Sequence, residues 1–273
     1  MAMRKVLSYA IHEVEPYINW LYFYHAWQMG KKTEEGRKEL HDDALAMLRD
    51  FDRHYTTHAV VGIYEANSEG DDIIAGGERI PMLRQQTPDP VTGACLSLSD
   101  FVRPASAGVA DRVGVFAATV DTMMENCYAD DPYGRMLAQT LADRLAEATA
   151  EKMHQEVRTR LWGYAPDEQL SVDELHAEAF QGIRPAVGYP SLPDTSINFV
   201  IDKLLHIGEI GIRLTEHGAM RPHASVSGLM LAHPEARYFS IGKIGDDQLR
   251  DYARRRGLPL PLARKFLSTS LMR

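Results

Sequence analysis

Apolar residues recur at helical spacing from Glu34 to Phe51, at Leu40, Ala44, Leu45, Leu48 and Phe51, and predict a helix there. The same period returns over Tyr133 to Leu161. Leu137, Leu141, Leu145, Ala148 and Met153 lie near one face, while Asp143, Arg144, Glu147, Glu151 and Lys152 supply a charged flank. This is the longest helix the pattern predicts, and Trp162-Gly163-Tyr164-Ala165-Pro166 ends it. Upstream, Glu15-Pro16-Tyr17-Ile18-Asn19-Trp20 opens an aromatic-rich stretch to Trp27, with Pro16 placed as at a helix start. Its crowded rings read as a packed face rather than a stacking surface for nucleic acid. The segment from about residue 10 to 55 is therefore predicted to be helical.

Strand patterns occupy the middle and the C-terminal third. Ala59 to Tyr64 is short, apolar and β-branched; Asn67 to Asp72 reads as a turn and a second strand begins near Ile73. Arg79 to Leu83 extends the sheet, with Pro81 arguing against a central position. Gln86 to Gly93 is a loop, and Leu96 to Val102 resembles a short strand. Gly114 to Val120 is compatible with a strand or with the start of a buried helix. Ser171 and Glu174 form a capping box at the head of another helix, and a further helix surrounds Asn198 to Leu205. Ser225 to Leu231 and Tyr238 to Ile241 read as two strands joined by a turn. Asp246 to Arg255 and Pro259 to Phe266 are the closing helices, divided by Gly257. The order lacks a regular alternation of strand and crossover helix, so a mixed α+β unit over residues 1–273 is the expected architecture.

Composition narrows the function. Of 273 residues, 45% are hydrophobic and 25% charged, which excludes disorder and fibrous repeats. The 30 Lys and Arg against 38 Asp and Glu leave a formal charge of -8, giving no general attraction to nucleic acid or an anionic membrane. Arg254-Arg255-Arg256 reads as a charged helix end. Cys95 and Cys127 are too far apart for a paired metal motif, the eleven histidines form no metal signature, and no metal is expected. Neither a signal-like apolar stretch nor a membrane-length apolar run occurs, so a cytoplasmic location is expected.

The candidate chemistry centres on Arg184-Pro185-Ala186-Val187-Gly188-Tyr189. Arg184 has the fork to clamp a carboxylate, Gly188 permits close backbone approach, and Tyr189 offers a ring to cover a flat heterocycle. A solvated arginine followed by a glycine turn and a packed tyrosine is the competing reading. Asp143 and Glu147, four apart on the long helix, face one side and suit either ligand amine contacts or ordinary ion pairs with Arg144 and Lys152. Dinucleotide and phosphate-loop fingerprints are absent, as are the serine elbow and the His-Glu-x-x-His helix.

Several motifs in order carry a resemblance to the C-terminal activation domain of cobalamin-dependent methionine synthase. They are Leu96-Ser97-Leu98-Ser99-Asp100-Phe101, Ala142-Asp143-Arg144-Leu145-Ala146-Glu147-Ala148, Trp162-Gly163-Tyr164-Ala165-Pro166, Gln181 through Tyr189, Ala224-Ser225-Val226-Ser227-Gly228 and Asp251-Tyr252-Ala253-Arg254-Arg255. The resemblance covers nearly the whole chain, most loosely before Val60 and around Ala118 to Pro132.

It implies a single C-shaped domain with a central twisted antiparallel sheet flanked by helices, binding S-adenosylmethionine. In that family cob(II)alamin takes an electron from flavodoxin or another donor and a methyl group from S-adenosylmethionine. Arg184 is then expected to hold the ligand carboxylate, Ala186 and Gly188 to give backbone contacts, and Tyr189 to sit on the methyl-transfer side. Glu147 and Tyr238 are implied ligand contacts, and Asp143 an acceptor for a partner histidine displaced from cobalt. Asn19 stands where the family's ligand-contacting aspartate is expected, a loss of charge that Glu178 is placed to offset. The implied partner is a cobalamin-binding methionine synthase chain, with this chain as the detached reactivation subunit of a split enzyme. A noncatalytic S-adenosylmethionine-responsive subunit and reactivation of another corrinoid methyltransferase are the alternatives.

Overall fold

The computed structural model describes residues 3–29, 33–88, 90, 93–128 and 130–272. In order these form β1 (Met3–Ala10), α1 (Ile11–Val14), α2 (Trp20–Ala26), α3 (Glu34–His54), β2 (Thr56–Glu69), β3 (Asp72–Ala75), β4 (Glu78–Pro81) and β5 (Asp111–Val120). There follow α4 (Pro132–Glu156), α5 (Val172–His176), α6 (Ile197–Leu205), β6 (Arg213–Leu214), β7 (Met220–Arg221), β8 (Ser225–Met230), α7 (Asp246–Arg256) and α8 (Leu260–Phe266). The result is a mixed α+β fold in which a curled, twisted antiparallel sheet is flanked by helices.

The main sheet runs β4-β3-β2-β5-β8, and every pairing in it is antiparallel. β2 is long enough to take two neighbours on one edge: β1 pairs its first half, from Ala10↔Thr56 to Met3↔Ile63, and β3 pairs Ala66 to Glu69. Pro81 lies in β4 at the sheet's edge, where a missing N–H costs least.

Side chains alternate between two cores. Ala59, Val61, Ile63, Phe116, Ala118 and Val120 face α1 to α4, with Leu137, Leu141, Leu145 and Met153 packed against them. Val60, Tyr64, Val113, Val115 and Ala117 face the opposite side, covered by Ile197, Val200 and Ile201 of α6. A third cluster joins Leu83 to Leu249 and Tyr252 of α7, Ala263 of α8 and the flanking Ile244 and Leu267. Because both faces of β5 are buried, its sequence shows no apolar–polar alternation, which is why Gly114 to Val120 fitted strand and helix equally.

Three readings change. β1 has only Tyr9 fully buried and carried no strand pattern, so it went unpredicted. Leu96 to Val102 is not a strand. Ser97 caps a 3-10 turn over Leu98–Phe101, its hydroxyl accepting from the Ser99 N–H while Asp100 accepts from the Ser97 N–H. Tyr238 to Ile241 is also not a strand, because the slot beside β8 is already taken by residues 183–187 through the bridges Ile183↔Leu231 and Ala186↔Gly228. Of the loop expected from Gln86 to Gly93, residues 89, 91 and 92 lie outside the described residues, as do Met1 and Ala2 at the N-terminus.

α4 keeps its predicted apolar face and ends in one π-helical turn over Val157–Leu161, where the N–H groups of Trp162 and Gly163 both donate to the Val157 carbonyl. The arginine run closes α7. Arg254 and Arg255 pair with Asp251, Arg255 also reaches Asp72, and Arg256 donates to Ser196. No helix among the described residues is long and apolar enough to cross a membrane.

Candidate functional site

β8 carries the segment on which the site depends. Pro185 O accepts from the Leu229 N–H, and the Val187 N–H donates to Ser227 O, so the strand Ser225–Met230 fixes the path of the arginine-to-tyrosine motif. Gly228 makes this approach possible: a Cβ there would stand 2.2 Å from Pro185 O and 2.9 Å from the Ala186 Cα. Past Ala186 the chain turns through Gly188 at φ +89°, a left-handed conformation, and the Gly188 N–H donates to Leu192 O at 2.8 Å. These two glycines place Arg184 inward and Tyr189 at the rim.

The segment forms one wall of a cleft of about 720 Å³. α4 supplies the floor with Arg144, Glu147, Ala148 and Glu151. Tyr17, Asn19 and Tyr22 enter from the α2 region, His176, Glu178 and Phe180 from α5 and the turn beyond it, and Tyr238 from the coil after β8. Six of the expected site residues, Asn19, Glu147, Arg184, Ala186, Tyr189 and Tyr238, therefore line a single cavity although 219 positions separate the first from the last. Gly188 shapes the wall without lining it. Asp143 also lies outside the lining, one helical turn before Glu147, with its carboxylate 3.5 Å from the Nδ1 of the exposed His223. Burial raises the Asp143 carboxyl, against the pull of His223 and Arg144.

Arg184 is fixed at both ends. Its backbone N–H donates to the Tyr238 hydroxyl at 2.9 Å; its Nη1 donates to Ala150 O at 3.1 Å and its Nη2 to Glu151 Oε2 at 3.0 Å. Two of its five N–H donors are thus occupied by α4, and the side chain is 12% exposed within the cleft wall. Burial raises the Tyr238 hydroxyl, while Arg184 opposes the shift. That phenol stays protonated at neutral pH.

The rim is closed by a bond across the cleft. The Tyr189 hydroxyl donates to Glu147 Oε1 at 2.9 Å, and the Glu147 charge, with burial second, pushes this phenol up to about 12. Asn19 is the N-cap of α2, its Oδ1 accepting from the Leu21 N–H at 3.1 Å. Glu178 follows α5 in a left-handed conformation at φ +57°, which few residues other than glycine adopt without cost. Burial and then the nearby Glu151 raise the Glu178 carboxyl, with Arg184 working the other way. His176 Nε2 lies 3.0 Å from Tyr17 O and ties the aromatic entry segment to α5.

Two expectations about α4 are corrected. Glu151 belongs to no solvated flank: it is buried at 9% exposure and pairs with Arg184. Lys152 does not accompany Asp143 or Glu147 but lies over the rings of Tyr9 and Tyr17, at 5.2 and 5.5 Å from their centroids. The signal for Glu151 was present in the sequence, since it follows Glu147 by the same four-residue step that relates Glu147 to Asp143.

An arginine clamped beside carboxylates, with tyrosines at the rim and opposite wall, can hold the charged end of a small molecule and cover a flat ring. Residues 10–257 match the family model described as the vitamin B12-dependent methionine synthase activation domain. The crystal structure of the MetH reactivation domain bound to AdoHcy superposes with a TM-score of 0.93, covering 99% of this chain and 91% of that one at 36% sequence identity. Matched by that family model over residues 10–257 and by that solved domain over nearly its full length, the chain belongs to the family of cobalamin-dependent methionine synthase activation domains.

Proposed function

We propose that the cleft binds S-adenosylmethionine and its demethylated product, and that the chain acts in reductive reactivation of a cobalamin-dependent methionine synthase. The observation that carries this reading is the convergence of Arg184, Glu147, Tyr189 and Tyr238 on one cavity whose volume suits a ligand of nucleoside size. The donors of Arg184 not taken by α4 are available to a ligand carboxylate. Ala186 and Gly188 offer backbone at the turn, and Asn19 and Glu147 are polar contacts. Tyr189 stands on the side from which methyl transfer would proceed, and Asp143, one turn away on α4, is placed to receive a partner's histidine.

S-adenosylmethionine supplies an electrophilic methyl on a sulfonium when bound, and the work of this chain is alignment rather than activation of a protein nucleophile. Arg184 anchors the amino-acid end while the Tyr189 rim faces a cobalamin-binding methionine synthase chain. Flavodoxin or another donor supplies the electron.

Calorimetric titration with S-adenosylhomocysteine tests the first half: tight binding by the wild type that Arg184→Ala removes is the expected outcome. The second half is tested by reconstitution with the cobalamin-bearing chain, S-adenosylmethionine and a reductant, following loss of the cob(II)alamin spectrum. Binding without any such conversion would leave a ligand-responsive subunit and sink the reactivation role.

A further inference from the structure

One buried side-chain atom in the cleft wall has no hydrogen-bond partner among the described residues. Glu151 gives Oε2 to Arg184, yet its Oε1 is fully buried and meets no hydrogen-bond partner among the described residues. It is the one such side-chain atom among the lining residues. Leaving a carboxylate oxygen desolvated and unpaired is unfavourable, and the folded chain bears that cost at the wall of its main cavity.

Other side-chain acceptors of the cleft are partly committed. Glu147 Oε1 takes the Tyr189 hydroxyl, Asn19 Oδ1 takes the Leu21 N–H, and Glu178 holds its proton to higher pH than an ordinary glutamate. Arg184 and Glu151 together form a neutral pair whose cation and unfilled acceptor lie side by side, with Nη2 and Oε2 only 3.0 Å apart. An α-amino acid carries its carboxylate and ammonium on the same carbon, in the complementary arrangement, and a zwitterion brings no net charge into the wall.

We propose that Glu151 is a specificity-determining residue that receives the α-ammonium of the ligand on Oε1 while it orients Arg184 for the α-carboxylate. The pair then selects amino-acid-bearing nucleosides over analogues with a carboxylate alone. This rests on the reading of the cleft as a nucleoside site. A ligand that lacks the ammonium leaves Oε1 unpaired and sets a second carboxylate near it.

The test is calorimetric titration of the intact chain with two probes, S-adenosylhomocysteine and the same thioether lacking its α-amino group. The wild type is expected to prefer the amino acid by about 10- to 100-fold, the range of a hydrogen bond to a charged group. Glu151→Gln keeps the shape and removes the charge. It is expected to erase most of that preference by weakening S-adenosylhomocysteine while leaving the deaminated probe unchanged or tighter. Equal weakening of both probes, or no change in either, overturns the assignment, since a purely structural role would not alter the ratio. Should the variant fail to fold by circular dichroism, the wild type still decides: equal affinity for the two probes overturns the proposal while leaving the nucleoside reading intact. Binding of neither probe to the wild type removes both.

Discussion

α4 and the π-helical turn that ends it supply one member each, Glu151 and Arg158, of two buried arginine–glutamate pairs about two helical turns apart, and the pairs are built to opposite ends. Arg158 is fully buried; its Nε and Nη2 engage both oxygens of Glu168 at 2.8 to 3.1 Å, and its guanidinium lies 4.1 Å from the centroid of the Phe180 ring. Arg184 and Glu151 share a single 3.0 Å contact at the cleft wall, with one carboxylate oxygen left over. Between them His154, wholly buried, is kept neutral by desolvation and by the charges of Arg184 and Arg158. In the first pair both carboxylate oxygens are filled and an aromatic ring closes over the guanidinium, while Arg158 Nη1 is buried without a hydrogen-bond partner among the described residues. The second is held in place but incompletely used, as a receptor must be. On the proposed function, identical residue types serve stability in one setting and recognition in the other, and the difference lies in how many acceptor sites the fold itself fills.

The largest effect should come from breaking the Arg158–Glu168 pair. Arg158→Ala strands the Glu168 carboxylate in a buried setting and is expected to cost about 3–5 kcal/mol in denaturant unfolding. Ligand affinity of the folded fraction should change by less than about threefold, because no donor in the cleft is lost. A hundredfold affinity loss under folding conditions would show instead that the two pairs act as one network through His154.

Breaking the open pair should do the reverse. Arg184→Lys keeps a cation but loses the fork, and about 1.5–3 kcal/mol of ligand affinity should go with it, roughly 10- to 100-fold by titration with S-adenosylhomocysteine. The midpoint of thermal unfolding should shift much less than in the Arg158 variant. A stability loss equal to that of Arg158→Ala would remove the distinction between the pairs.

How much of this contrast the sequence could reveal follows from what each feature depends on. Local features were legible: the apolar face of α4, the capping box at Ser171 and the edge position of Pro81 are set by neighbours a few residues away. The Arg184 motif was visible as candidate chemistry because a guanidinium fork, a turn glycine and a ring stand within one short segment. Glu151 looked like its solvated neighbours. What distinguishes it is Arg184, 33 residues downstream, carried onto α4 by the fit of Pro185 against Gly228. Likewise Tyr238 to Ile241 has a strand-like composition, but whether it joins the sheet depends on who occupies the edge of β8. Occupancy of an edge is a property of the assembled fold and leaves no period in the chain.

Glu178 sharpens the contrast from the side of charge. Its carboxyl is raised by burial and by Glu151, so it holds a proton above the ordinary glutamate range and gains its charge only as pH climbs through the shifted value. Affinity for the sulfonium ligand, relative to the uncharged thioether, should therefore rise with pH across that window. The expected gain is about two- to fivefold, as befits a partly solvated charge. The stability sign is opposite. The folded state binds this proton more tightly than the unfolded chain, so its contribution is full below the unfolded value and is lost as pH rises through the folded one. Glu178→Gln should flatten the ligand ratio. A ratio that stays pH-dependent in that variant would assign the titration to another group.

The smallest expected effect tests whether the open site has given up charge at its entry. Asn19 caps α2 through Oδ1 while lining the cleft. Aspartate caps equally well, and its charge at a helix N-terminus is favourable by about 0.3–1 kcal/mol, so Asn19→Asp should be neutral or slightly stabilising in thermal unfolding. In the cleft the added charge should favour the sulfonium over the thioether by about twofold, close to the floor for an exposed pair. Glu151 and Arg184 would be unaffected, so the preference for the amino-acid end over its deaminated analogue should not move. If Asn19→Asp instead shifts that preference, the ammonium is read at the entry and not at the wall, and the open pair on α4 loses its claim to it. An unchanged affinity for both ligands would mean that Asn19 serves the helix alone.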